Sequence, residues 1–241
     1  MSIPIVNAIE EGRGSLILPN GQTVEVAQGI SLESAVTEGV IDGLIIEGLW
    51  GFNDFGGYGR LLARILGRSE DEIRNIGDEN EEEDHVSIVV IETATHGSVL
   101  RAVALIPTQH SRCYRQFGTP SEGRPNGNFF YNVTFEAMDM LAGRGCAEIG
   151  IAGMAGSGCH QHTKDLSFWA AKAVVHCAAK NPGVRRAWSV GDGPDLLTVI
   201  QHFGRNPVQI GWHLDIESET RCVDGMWHVK LDLPTFGKAN P

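Results

Sequence analysis

Short runs of β-branched and aliphatic residues alternate in this chain with segments in which apolar residues recur at helical spacing. Residues 41–47, 147–152 and 184–190 are predicted strands, because each is a short, mostly apolar run that is followed directly by a glycine. Helical spacing occupies residues 61–66 and 130–141. Strands that alternate with helices predict a mostly parallel sheet covered on both faces. We therefore expect an α/β protein whose ligands bind at the carboxyl ends of the strands.

Other local patterns extend this prediction along the chain. The pair Asn20-Gly21 joins two apolar runs and predicts a β-hairpin near the start. Residues 86–91 and 99–106 are β-branched runs and predict neighbouring central strands. The acidic run 78–84 predicts an exposed loop, because its like charges repel one another. Two more helices and a pair of strands are expected near residues 168–178, 196–203 and 208–233.

Length and charge limit the class of protein. The 241 residues suit one large domain, and we expect a single domain over residues 1–241. A net charge of −11 disfavours general binding to nucleic acids or anionic membranes, but it leaves room for a local anion site. No stretch approaches the ~18 apolar residues of a membrane span, and the N-terminus lacks a signal-peptide pattern. The five scattered cysteines contain no Cys-x-x-Cys pair, so we expect a reducing, cytoplasmic location.

A glycine-rich segment, residues 153–158, lies between a predicted buried strand and the start of a helix. Unpaired backbone N–H groups and the positive end of a helix dipole meet at such a point, which favours binding of a phosphate. The alternative is that these glycines only permit tight packing. Cys159 and His160 stand where a nucleoside triphosphatase needs Lys and Ser or Thr, and the dinucleotide-binding spacing is absent. A second glycine-rich segment, residues 48–59, also follows a predicted strand, and we expect both segments to face one cleft.

The order of elements, together with several passages, resembles the macrodomain family. Helix, strand and phosphate loop follow one another with the family's spacing, and the passages that carry the resemblance are residues 39–47, 56–67, 129–158 and 181–192. The resemblance spans about residues 22–204, which leaves residues 205–241 as a C-terminal strand extension. It implies a three-layer α/β/α sandwich with a mixed, mostly parallel central sheet. It also implies binding of an ADP-ribose-like nucleotide diphosphate, and some members of the family hydrolyse ADP-ribosyl bonds.

This sequence departs from the family pattern at two places. Gln28 lies where the family has an acidic residue for the adenine amino group, and residues 47–50 replace Asn-Ala-Asn. Asn53 and Asp54 lie nearby, and we expect them to face the ribose and to position a water. The expected catalytic residues are Asn53, Asp54, His160 and His162. The expected ligand-binding residues are Gly56, Gly57, Tyr58, Gly153, Gly156, Ser157, Gly158 and Cys159.

Two other functions fit the same residues. One is a non-catalytic sensor or sequestering module for a nucleotide signal, which keeps the glycine loops without catalytic residues. The other is a metal-dependent hydrolase built around Cys159, His160 and His162. A zinc site needs three or four ligands, so we predict no metal and no cofactor, with a small-molecule nucleotide as the partner. His176 lies among apolar residues of a predicted helix and is expected to be structural.

Overall fold

The structure is a computed structural model of the chain. It describes residues 12–17, 22–47, 56–79, 81–82, 85–86, 88–93, 99–106, 127–153, 163–205, 217–223 and 226–232. The strands are β1 Arg13–Ile17, β2 Thr23–Ile30, β3 Gly43–Glu47, β4 Glu81–Glu82, β5 His85–Val86, β6 Val89–Glu92, β7 Ala102–Ile106, β8 Glu148–Ala152, β9 Arg186–Val190, β10 Glu217–Val223 and β11 Met226–Asp232. The helices are α1 Leu32–Thr37, α2 Gly56–Leu66, α3 Glu70–Glu79, α4 Gly127–Ala142, α5 Thr163–Lys180 and α6 Leu196–Arg205.

Seven of these strands form the central sheet, in the order β1-β2-β9-β8-β3-β7-β6. Every neighbouring pair from β2 to β7 is parallel, whereas the edge strands β1 and β6 are antiparallel to their neighbours. All five residues of β7 are buried, as expected for a strand whose two faces are both covered. The prediction of a mixed, mostly parallel sheet is confirmed.

The helices lie on both faces because the chain reverses its direction across the sheet. From β2 to β3 and β7 the chain moves toward the β6 edge, and from β7 to β8 and β9 it moves back. Crossovers between parallel strands are right-handed in almost all proteins, so the two directions place their helices on opposite faces. On one face of the sheet, α4 contacts β3, β6 and β7, and α6 contacts β1 and β2. On the same face α5 contacts both α4 and α6. The predicted three-layer α/β/α sandwich is confirmed.

Two predictions about individual elements are wrong. β6 pairs with β7 as expected, but it forms an edge of the sheet rather than a central strand. Val89 and Val90 are accordingly only half-buried. The acidic run 78–84 is not simply a loop, since it contains the end of α3 and β4. The pairing of β4 with β5 places Glu82 opposite His85, so these strands do not set like charges against each other.

The sequence prediction also omitted α1 and α3, both of which begin at a serine cap. The Ser34 N–H donates to Ser31 Oγ at 3.0 Å at the start of α1. At α3 the Ser69 N–H donates to Glu72 Oε2 at 2.7 Å, and the Glu72 N–H donates back to Ser69 Oγ at 3.2 Å. This reciprocal arrangement is a capping box, and its Ser-x-x-Glu pattern was a readable signal. The other predicted elements, including the opening hairpin and the C-terminal strand pair, are confirmed.

Candidate functional site

The carboxyl ends of the parallel strands lie side by side at one edge of the sheet, which we call the carboxyl edge. Ala152 at the end of β8 is level with Val190 at the end of β9, and β3 runs parallel to β8 on its other side. Gly153 follows β8 directly, is buried, and has a φ of 34°. Residues other than glycine rarely adopt this backbone conformation. The predicted phosphate loop therefore starts at the edge where ligands of such sheets bind.

A second glycine turn follows β9 at the same edge. Gly191 has a φ of 61°, and its N–H donates to the Ile30 carbonyl oxygen at 3.0 Å, which joins the ends of β2 and β9. A Cβ atom at Gly193 would overlap the carbonyl oxygen of Ile151 in β8, so the close approach requires glycine. No role was predicted for Gly191 or Gly193 from the sequence. The Gly-x-Gly pattern directly after a strand was the signal for this close approach.

Hydrogen bonds hold this turn against the neighbouring helices. The Asp195 N–H donates to the hydroxyl oxygen of Ser167 in α5 at 2.7 Å. The Thr198 N–H donates to Asp195 Oδ1 at 3.1 Å and so caps the start of α6. The starts of α5 and α6 are thereby joined through one turn. Because the Asp195 carboxylate already occupies the start of α6, an anionic ligand would be repelled there.

The other glycine segment continues into the start of α2. Gly56, Gly57 and Tyr58 form the first turn of this helix, and no acidic residue lies in that turn. The first backbone N–H groups of a helix have no intrahelical acceptor, and the helix dipole adds positive potential there. The first turn of α2 therefore offers donors to an anion. That this turn and Gly153 face the same cleft stays a prediction, since residues 48–55 and 154–162 lie outside the described residues.

Most of the predicted site residues also lie outside the described residues, and their roles stay predictions: Asn53, Asp54, Gly156, Ser157, Gly158, Cys159, His160 and His162. Within the described ranges, no group of three or more His, Cys, Asp or Glu side chains is arranged to hold a metal ion. None of the helices in those ranges has the length and apolarity needed to cross a membrane.

Comparison of the chain with protein-family models and with curated proteins gave no match. Solved structures do match. A mutant of the Oceanobacillus iheyensis macrodomain aligns with a TM-score of 0.56 at 9% identity, covering 82% of this chain and 98% of that chain. The same macrodomain with ADP aligns with a TM-score of 0.52 at 12% identity, covering 83% of this chain and 99% of that chain. The chain has the macrodomain fold.

Another mutant of the Oceanobacillus iheyensis macrodomain, determined with ADPR, gives the same TM-score of 0.52 and identity of 12%. That alignment covers 82% of this chain and 100% of the other. The sequence resemblance to macrodomains is thus confirmed at the level of the fold. In this fold Gly153 begins the connection from β8 to α5, at the carboxyl edge of the sheet.

Buried thiols in this macrodomain fold are unsuited to nucleophilic chemistry. Burial raises the pKa of the Cys146 thiol to about 11. Burial likewise raises the pKa of the Cys177 thiol to about 12. A thiol with so high a pKa stays protonated at neutral pH, and the thiolate is the reactive and metal-binding form. Cys146 and Cys177 are therefore core residues.

The prediction that His176 is structural agrees with its surroundings between α4 and α5. The imidazole is only 3% exposed, and its Nδ1 lies 2.6 Å from the hydroxyl oxygen of Tyr131. The Lys172 ammonium lies 5.4 Å from the centre of the Tyr131 ring and 5.0 Å from the centre of the Trp169 ring. These contacts join α4 to α5 through cation–π and hydrogen-bonding interactions.

Proposed function

We propose that this protein binds an ADP-ribose-like nucleotide diphosphate at the carboxyl edge of its sheet. The pyrophosphate lies between the first turn of α2, at Gly56 and Gly57, and the loop that begins at Gly153. The observation that carries the proposal is the buried, positive-φ Gly153 directly after β8. Backbone N–H groups can converge on an anion there without interference from a side chain.

Backbone donors also reconcile an anionic ligand with the charge of the protein. The chain has a net charge of −11, which repels polyanions at long range. A compact pyrophosphate needs only a few oriented dipoles at close range, and helix N-termini supply them without a basic surface. The proposed ligand is therefore a small nucleotide, and the proposal excludes general binding of nucleic-acid backbones.

The ligands of structures with the same fold support this class of ligand. The Oceanobacillus iheyensis macrodomain was determined with ADP, and a mutant of it with ADPR. Both alignments cover more than four fifths of this chain. ADP-ribose and ADP are accordingly the first ligands to test.

Turnover is the second part of the proposal. We propose that Asn53 or Asp54 positions a water for hydrolysis of an ADP-ribosyl bond, with His160 or His162 in a hydrogen-bonding or acid–base role. A sensor would instead retain the intact ligand. Incubation with an ADP-ribosylated peptide and mass spectrometry of the products distinguishes the two, because only a hydrolase releases ADP-ribose.

Binding is tested by calorimetry and thermal shift with ADP-ribose, using glycine variants. A ligand at 100 times its dissociation constant stabilises the folded protein by about 2.7 kcal/mol. We expect Gly156→Val and Gly158→Val to abolish binding, since a side chain in the loop occupies the space of the anion. Gly183→Val is the matched control, because Gly183 is exposed and a Cβ there meets no atom within 4 Å. The proposal is contradicted if all of these variants bind ADP-ribose with equal affinity. It is also contradicted if the native protein binds neither ADP-ribose nor ADP.

A further inference from the structure

A groove lies between α1 and α2, remote from the carboxyl edge. Its volume is about 500 Å³, and Val36, Leu61 and Ile65 supply aliphatic lining. Gly39 and Val99 line it as well, and these two residues precede the amino ends of β3 and β7. Because the carboxyl edge lies at the other end of the same strands, the groove is separate from the proposed nucleotide site. Its volume falls within the range of about 300–1,000 Å³ for ligand pockets.

Val99 gives the groove an exposed apolar surface. Val99 is 52% exposed, and it is the one large hydrophobic residue that is exposed among the residues that the structure describes. Gly39 has a φ of 67°, and a Cβ there would lie 2.8 Å from Val99 Cγ2, so glycine allows Val99 to lie against the end of α1. Apolar side chains exposed in a concave surface are typical of interaction sites.

The charged residues of the lining are Glu33, Glu38 and Arg64. Glu33 and Arg64 form an ion pair of 3.0 Å that connects α1 to α2. Glu38, the C-cap of α1, is exposed, and its carboxylate has no ion pair within the described part of the chain. The last turn of α1 also lacks a basic residue. Since Glu38 precedes Gly39, an uncompensated carboxylate lies at the Val99 end of the groove.

We propose that this groove docks a segment of a partner protein that presents an aliphatic side chain beside a lysine or arginine. The aliphatic side chain packs on Val99 and Ile65, and the cation lies against Glu38. Charge complementarity selects this occupant, because Glu33 and Arg64 neutralise each other and leave the carboxylate of Glu38. The net charge of −11 also steers basic segments toward the protein. An amphipathic helix is the simplest form, with its apolar face in the groove.

The test uses a fluorescein-labelled amphipathic peptide built from leucine and lysine, and a matched peptide in which glutamate replaces lysine. We expect saturable binding of the lysine peptide only. Val99→Asn, which removes the apolar contact without adding a charge, should weaken it at least about tenfold, as loss of a buried apolar anchor does at protein interfaces. Glu38→Gln should weaken it about threefold, as expected for one partly exposed charge pair. Glu136→Gln is the matched control, since it removes the same charge from an exposed position on α4, across the sheet.

Methyl NMR spectra locate the bound peptide directly. We expect peptide-induced shifts at the methyl groups of Val36, Leu61, Ile65 and Val99. Val99 is exposed, so its substitution should leave the fold intact, which circular dichroism checks. Equal binding by the Val99→Asn and Glu136→Gln variants would show nonspecific attraction and overturn the proposal. Absence of saturable binding overturns it as well. So does self-association of the free protein that Val99→Asn removes, since the occupant would then be a second copy.

Discussion

Replacement of Asp42 by alanine should be among the most destabilising single changes outside the apolar core. Asp42 lies just before β3 and is 9% exposed. Its carboxylate accepts from the Ala147 N–H at 2.9 and 3.0 Å and from the Glu148 N–H at 2.8 Å. These bonds fix the start of β8 beside the start of β3. The same two strands carry the carboxyl edge at their other ends.

The magnitude follows from the two amide donors that alanine leaves without an acceptor. Each buried donor without a partner costs about 1–3 kcal/mol, and limited access for water restores only part of the loss, so we expect Asp42→Ala to cost about 2–4 kcal/mol. A domain of this size loses ~2–4 °C of Tm per kcal/mol, which predicts a decrease of about 5–15 °C. Urea unfolding followed by circular dichroism should give a lower midpoint with an unchanged slope.

Asp42→Asn is the informative control, because Oδ1 alone accepts from both Ala147 and Glu148. An asparagine oxygen can retain those two bonds, but the amide nitrogen that replaces Oδ2 faces the Ala147 N–H, so we expect Asn to cost less than Ala without being neutral. Glu148 accounts for the difference, because its N–H donates to Oδ1 only and keeps that acceptor in Asn but not in Ala. If Ala lies within about 0.5 kcal/mol of the native protein, as surface substitutions usually do, the reasoning is refuted.

Three further predictions concern a helix cap, a turn and the buried thiols. Hydrogen bonds from the Ser69 backbone N–H and hydroxyl lower the pKa of Glu72 below its usual 4.5, so stability is full above that pH and falls as the pH drops through the lowered value. Acid titration of the Tm should show this dependence reduced in Glu72→Gln, and an unchanged profile contradicts it. Gly193→Ala should destabilise the fold by about 1–3 kcal/mol through overlap with β8, whereas Gly183→Ala, which meets open space, should not; equal urea midpoints would refute this. Cys146 and Cys177 should resist iodoacetamide at pH 8 in the folded protein and react in urea, as mass spectrometry of the labelled peptides can show; labelling at equal rates in both states refutes it.

Local patterns predicted those elements whose signals are contained within their own residues. The strand at 147–152 could be predicted because a short apolar run is followed by Gly153, and β8 ends at Ala152. The helix α3 was omitted because its window has few apolar residues, among them Ile73 and Ile76, and its start is marked by the Ser69 cap instead. The edge position of β6 depends on which strand pairs with β7, and no local pattern contains that information.

The candidate site divides in the same way. The position of Gly153 after a strand could be predicted, and its φ of 34° agrees with the reason for expecting glycine there. The contribution of Gly193 could not be predicted, because it depends on the approach of its turn to Ile151, a residue of another strand. Spacing along the chain identifies glycine-rich segments that follow strands. Which segments lie side by side is decided by strand order, which long-range pairing sets.

Identity of 9–12% with structures of the same fold has a physical explanation in the kinds of residue that the fold requires. The core needs apolar volume at the correct periodicity, and many aliphatic combinations satisfy that requirement. Gly153 and Gly191 are constrained differently, since their positive φ values exclude most side chains whatever the neighbouring residues are. Such a position restricts its residue type more strongly than a core position does. Substitutions at Gly153 and Gly191 therefore strain the backbone as well as altering the carboxyl edge, so lost binding in such variants has to be separated from lost folding by the urea midpoint.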